Sequence, residues 1–384
     1  MIRGLDNAAV IEHVLPVVQR LTQGDWFTAR VSACGLFATT YSRLTDTAAK
    51  TTLRSLYATL CQDDTPMVRR AAAKNIGVRR LSSASPALMA FGRYTVPPLR
   101  HSSQALASVV EKDFVLAELL PLFSGLSGDD QDSVRLLAIE NCTAFSRVFN
   151  TAENNRFTLP MVKACAGDKS WRVRNNVAKE FFAVRDACIV TVARAGPVQL
   201  PAFAAPPQLS DAVGVDTTNS ELVPLFVKLL QDPEAEVRAS AAKNVAGYVT
   251  LVGAGRFISD VLPAVKDLQA DPAQNVKTAL AESVMETASK LGHDAAVAHI
   301  VPLVMHFLRD DAAEVRLKVL ESLHKVVGAV GPALLESMLL PALLSLGSDA
   351  LWRVREKVID QMPLLASSLV RLRALISSLA SACT

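Results

Sequence analysis

A period of 39 residues constrains this chain more than any other feature. A basic residue, usually after Val, recurs at Arg30, Arg69, Arg135, Arg174, Arg238, Lys277, Arg316 and Arg355. Successive spacings are 39, 66, 39, 64, 39, 39 and 39 residues, so two intervals carry insertions of 27 and 25. Six positions before the basic residue stand Asp63, Asp129, Asp168, Asp232, Asp271, Asp310 and Asp349, with Gly24 in the first repeat. Fourteen before it stand Pro16, Pro121, Pro160, Pro224, Pro263, Pro302 and Pro341, with Ser55 in the second. Repetition of this length implies a stack in which each repeat buries its apolar face against its neighbours.

Each repeat reads as two helices. In the seventh, Ile300, Leu303, Val304, Phe307 and Leu308 keep helical spacing. Asp310-Asp311-Ala312-Ala313 interrupts them, and Val315, Val319, Leu323 and Val326 begin a second stripe. The proline predicts a kink in the first helix. The aspartate suits the N-cap of the second, and the basic residue is placed to reach an aspartate of the next repeat. The expected result is a ladder of exposed ion pairs worth about 0–1 kcal/mol each, which sets register while apolar burial supplies stability. The fold class is all-α, a right-handed α-α superhelix of the HEAT type, with about eight repeats over residues 6–369 and a partial C-terminal helix over 370–384. The insertions fall near 78–112 and 186–219 and are expected as surface loops between repeats. The first carries Arg79, Arg80, Arg93, Arg100 and a Ser-rich stretch at 82–85, a candidate phosphorylation or docking loop.

Composition agrees with helices that bind and do not catalyse. Half of the 384 residues are hydrophobic but only 5% are aromatic. Forty basic against thirty-seven acidic residues give a net charge of +3, too balanced for bulk electrostatic binding of nucleic acid. Six cysteines lie at 34, 61, 142, 165, 188 and 383 with no C-x-x-C pair, as expected of free core thiols in a reducing compartment. The first residues lack the apolar run of a signal peptide, and the most apolar window, 188–207, is broken by Arg194 and prolines, so no membrane segment is expected. The expected location is cytoplasmic, with the nucleus open. Phosphate-binding, dinucleotide and H-E-x-x-H signatures are absent, and His299 and His306 are too far apart to share an ion comfortably. No catalytic residue, cofactor or metal is assigned.

The candidate functional residues lie in the turn inside each repeat. Trp26, Trp171 and Trp352 all fall there, joined by Phe27, Pro66 and Met67. Turn tips line one edge of a stack, and tryptophan is a common interface anchor. The alternative is that each indole packs on the next repeat's turn. Asp64, Asp130, Asp132, Glu234, Glu236, Asp311 and Glu314, with the ladder aspartates, make the edge acidic and favour basic or mixed protein surfaces over phosphate backbones.

Several strings resemble the scaffold (A, 65-kDa regulatory) subunit of type 2A protein phosphatase. They include residues 24–30 (GDWFTAR), 63–73 (DDTPMVRRAAA), 131–138 (QDSVRLLA), 168–174 (DKSWRVR) and 352–355 (WRVR) with 362–366 (MPLLA). The resemblance implies a non-catalytic scaffold that holds a regulatory B-type subunit, together with a catalytic one, through its turns. Carried over by motif, regulatory-subunit contacts would be Trp26, Phe27, Asp64, Pro66, Met67, Arg70, Ser170 and Trp171. Trp352 shares the edge. That family has more repeats than the eight found here, and those with the main catalytic-subunit contacts fall outside the match. Catalytic-subunit binding is therefore the weaker implication. A different HEAT adaptor, serving transport or the cytoskeleton, is the other reading.

Overall fold

The computed structural model describes residues 2–76, 106–146, 149–181, 218–331, 334–363 and 365–366. They are helical apart from short turns, with no strand among the described residues. The helices come in the expected pairs and cluster in two compact bodies, repeats one to four (to Glu180) and repeats five to eight (Thr218 onward, with Phe181).

The Val-Arg pair recurs because its two members do different work. Val68, Val134, Val173, Val237, Val276, Val315 and Val354 are each no more than 1% exposed. Each such burial contributes about 1.5–3 kcal/mol. The basic residue that follows points to the ladder described below. Both stripes of repeat seven are buried as their spacing predicts.

At the prolines the first helix changes form. Immediately before the residue preceding each proline the helix widens into one π-helical turn, as at Val10–Val14, Asn154–Thr158 and Ala296–Ile300. There the Leu15 N–H donates to the Val10 carbonyl, and that of Val301 to Ala296, five residues back. Proline lacks an N–H and its ring collides with the carbonyl four residues earlier, and the wider turn moves that carbonyl aside. A π turn absorbs one extra residue. In six repeats the cap residue (Asp6, Glu111, Asn150, Gly253, Gly292, Gly331) stands ten before the proline. In repeat two, where Ser55 replaces proline, the cap Asp46 stands nine before it, and Thr47–Cys61 is an uninterrupted α-helix.

The caps differ between the bodies. Asp6, Asp46 and Asn150 accept backbone N–H groups with their side chains, and Asn150 completes a capping box with Glu153. In repeats six and seven, and before repeat eight, the same place is taken by Gly253, Gly292 and Gly331 at φ of 76–84° and extended ψ, a region open essentially to glycine alone.

The insertions lie mostly outside the described residues, as do the basic-serine stretch and residues 370–384. The last part of the first insertion is described and departs from a surface loop. Leu106 and Ala107 are buried against helices Phe37–Tyr41, Pro66–Ile76 and Ala138–Phe145, because the stretch is apolar and the stack offers it a face. Glu111 then seals the re-entry, binding Lys50 Nζ at 2.6 Å, Arg54 Nη2 at 2.7 Å and the Tyr41 hydroxyl at 2.5 Å. Burial pushes the Glu111 carboxyl up, but these partners prevail and hold it down at about 2.

Candidate partner-binding edge

The turn inside most repeats is built by one aspartate and one basic side chain. Asp168 shows the arrangement. Its Oδ1 accepts the Ser170 N–H two residues on at 2.7 Å, closing the turn. Both oxygens also receive Arg135 of the preceding repeat, at 2.7 Å from Nε and 2.9 Å from Nη2. Arg135 Nη1 meanwhile donates to the carbonyls of Asp129 and Asp130 in its own turn, at 2.7 and 3.0 Å. One guanidinium thus ties two successive turns together.

Body one contains Arg30–Asp63, Arg69–Asp129 and Arg135–Asp168, and body two Arg238–Asp271, Lys277–Asp310 and Arg316–Asp349, with closest contacts of 2.5–2.9 Å. Arg174 and Arg355 hold their own turns through the Asp168 and Asp349 carbonyls, and Asp232 accepts the Glu234 N–H.

Two expectations are corrected here. The aspartate is not the cap of the second helix. Its bond goes to the residue two ahead, and the caps are extended residues such as Gln131, Glu234, Ala273 and Ala312 with no side-chain cap bond. Caught between a turn N–H and a guanidinium, the carboxylate has no reach left for the helix. Nor are the rungs exposed pairs. Their carboxylate side chains are at most 11% exposed, so breaking one leaves a largely buried charge and costs about 3–5 kcal/mol. Burial raises the Asp129 and Asp168 carboxyls, yet hydrogen bonds from Arg69 and Arg135 and from the turn N–H groups outweigh it and hold both below the ordinary value. The Asp168 hydrogen bond likewise raises Arg135.

With the ladder aspartates turned inward and neutralised, the edge is less acidic than the sequence suggests. What projects is aromatic and mixed in charge. Trp26 is 78% exposed, Trp171 37% and Trp352 58%, so none of the indoles is hidden in the next turn. Phe27, Met67, Asp64 and Arg70 are exposed, and Pro66 is half-buried as the first residue of Pro66–Ile76. Ser170 is half-buried and donates to Asp132 of the preceding turn at 3.1 Å. Trp26, Phe27, Met67 and Trp171 belong to body one, and Trp352 to body two.

Sequence reasoning missed Arg172 and Arg353. Each guanidinium lies 5.6 Å from the ring centroid of the tryptophan before it, and Arg172 also approaches Asp132 at 3.5 Å. The signal was the shared Trp-Arg dipeptide. Between the turns of repeats one and two lies a polar groove of about 740 Å³ lined by Asp25, Ser55, Gln62 and Asp64 among others. Among the described residues no group of three or more His, Cys, Asp or Glu is placed to hold a metal ion, and no helix is long and apolar enough to cross a membrane.

Residues 216–292 match the family described as PPP2R1A-like HEAT repeat. Over 155 residues, 40% of this chain, the sequence is 38% identical to a probable serine/threonine-protein phosphatase PP2A regulatory subunit of Caenorhabditis elegans. Over 178 residues, 46% of this chain, it is 33% identical to the A-type regulatory subunit of protein phosphatase PP2A from Schizosaccharomyces pombe. Identity reaches 58% over 65 residues with the PP2A 65 kDa regulatory subunit of Drosophila melanogaster. The matched stretches are similar to HEAT repeats and to A-type regulatory subunits of PP2A. It spans only 22% and 26% of the length of the first two relatives. Among solved structures, the crystal structure of Cex1p matches 93% of this chain and 57% of its own at a TM-score of 0.52 and 13% identity, a likeness of fold alone.

Proposed function

We propose that this chain is a non-catalytic scaffold of a phosphatase-2A-type complex, and that the turn edge of body one holds a regulatory B-type subunit. The observation that carries the reading is the exposed row of Trp26, Phe27, Met67 and Trp171 on turns locked to one another by buried Arg–Asp rungs. A large aromatic surface presented on rigid turns binds with little ordering cost. The matched relatives, named as PP2A regulatory subunits, supply the class of partner. Exposed carboxylates at Asp64 and Asp130 beside Arg70 and Arg172 suit a partner surface of mixed or basic character. Trp352 with Arg353 offers body two a contact of the same kind, open to the same partner or to a catalytic subunit.

The test is affinity purification with Trp26→Ala and Trp171→Ala, singly and together. The double variant loses regulatory-subunit capture by about thirtyfold or more, as expected of two anchors, while helicity measured by circular dichroism stays unchanged. Undiminished capture by the double variant would place the partner elsewhere. Recovery of transport or cytoskeletal partners with no phosphatase subunit would favour the other adaptor reading.

A further inference from the structure

Repeat eight stands apart in what it leaves on its surface. Met338, Leu344, Leu351, Trp352 and Ile359 are its exposed large apolar side chains, whereas repeats five to seven have none among the described residues. Ile359 is 68% exposed, although at the same phase Ile139, Ala242, Ala281 and Leu320 are each at most 5% exposed. The ladder cation of this repeat is open too. Arg355 holds its own turn as the other ladder arginines do, donating from Nη1 to the Asp349 and Ala350 carbonyls at 2.7 and 3.1 Å. In Arg135 and Arg238 the other edge of the guanidinium, Nε with Nη2, takes a carboxylate of the next repeat. Among the described residues no carboxylate meets that edge of Arg355. One residue on, Glu356 is exposed and has no cation partner among the described residues, since Lys357 goes to Asp360 at 3.5 Å.

We propose that this face binds the same face of a second copy, through an antiparallel pair of the helices at 352–363. Trp352, Arg355, Glu356 and Ile359 fall at i, i+3, i+4 and i+7, one stripe of that helix. The stripe runs apolar, cation, anion, apolar, and this order is complementary to its own reverse. A two-fold axis between residues 355 and 356 sets Arg355 of each copy against Glu356 of the other, and Trp352 against Ile359, with each contact made twice. The open guanidinium edge thereby gains the carboxylate that every described rung has, and the exposed apolar ends are covered. The pairing uses body two alone and goes beyond the regulatory-subunit contact proposed for body one. A second copy seated on Trp352 excludes a phosphatase subunit there.

Sedimentation velocity on the purified full chain, from about 1 to 100 μM, tests this. One helix pair is a small interface, so a reversible dimer with a Kd in about that range is expected. Glu356→Arg sets like charges against Arg355 twice and weakens the dimer about tenfold or more, as does Ile359→Asp, while Ile359→Leu keeps it. Glu356→Arg mixed with Arg355→Glu forms a dimer again, because each variant supplies the charge the other lacks. Trp26→Ala with Trp171→Ala leaves the dimer intact, so loss of regulatory-subunit capture and loss of self-pairing are separable. A chain that stays monomeric throughout overturns the proposal and gives the face to another protein or to the rest of this chain. A dimer that survives Glu356→Arg or Ile359→Asp also overturns it, by placing the contact elsewhere.

Discussion

Ser55→Pro would place in repeat two the residue that seven other repeats carry at the same phase, and it should be harmful there. Thr47–Cys61 is continuous α-helix across this point. Proline deletes the Ser55 N–H bond to the carbonyl four residues back, worth about 1 kcal/mol net, and drives its ring against that carbonyl, for a total near 3 kcal/mol. In the other repeats a π turn relieves the clash, and it uses an extra residue between cap and proline. Repeat two has nine residues from Asp46 to this position where six others have ten, so it has none to spare. Inserting one alanine after Lys50 supplies that residue, and on its own it should also destabilise, because it forces an extra residue into a helix with no proline to require it. Together the two changes should cost markedly less than their sum, with a coupling of about 1–3 kcal/mol. Urea titration followed by circular dichroism and calorimetry gives the four corners of the cycle. At roughly 2–4 °C per kcal/mol for a body of this size, Ser55→Pro lowers its transition by about 6–12 °C. Additive costs, or a proline that is tolerated without the insertion, would refute the link between proline and the π turn.

The one lysine rung offers a second test. Among the described residues Lys277 donates only to Asp310, whereas Arg238 also holds the Asp232 and Pro233 carbonyls, so Lys277→Arg should raise the stability of body two by about 1 kcal/mol and Arg238→Lys lower it comparably in calorimetry. Acid sensitivity follows from Asp129 and Asp168. Their folded-state pKa values lie below the ordinary one, so their stabilisation is full at neutral pH and is lost as pH falls from about 5 through the depressed values. Asp168→Asn therefore weakens body one by about 3 kcal/mol at pH 7 and flattens its acid-side slope in pH-dependent denaturation.

Much of the architecture was legible because one constraint is written eight times. A single Val-Arg pair says little, but at fixed phase with Asp and Pro it names an inside residue, a rung and a bent helix. The finer geometry was not legible, because it depends on competition between local partners. Aspartate before a helix ordinarily caps it. Here Arg135 from the previous repeat and the Ser170 N–H occupy both oxygens of Asp168, so the carboxylate serves the turn and the rung and not the helix end. The proline predicted a kink but not its form, although the ten-against-nine count from cap to proline stood in the sequence.

The same competition decides how the edge can be read. Counting carboxylates gave an acidic surface, because sequence does not reveal which carboxylates turn inward. Once the rungs take Asp63, Asp129 and Asp168, the acids left at the surface are those with no cation one repeat back, such as Asp64 and Asp130. The ladder therefore does two things at once. It fixes the spacing of the turns, and by neutralising the charges beneath them it leaves Trp26, Met67 and Trp171 as the dominant features of body one's outer edge. If the proposed edge holds the partner, removing a rung beneath it should weaken capture indirectly, and Arg135→Met, which loosens the turn bearing Trp171, is the substitution expected to show the largest such loss in the same affinity purification.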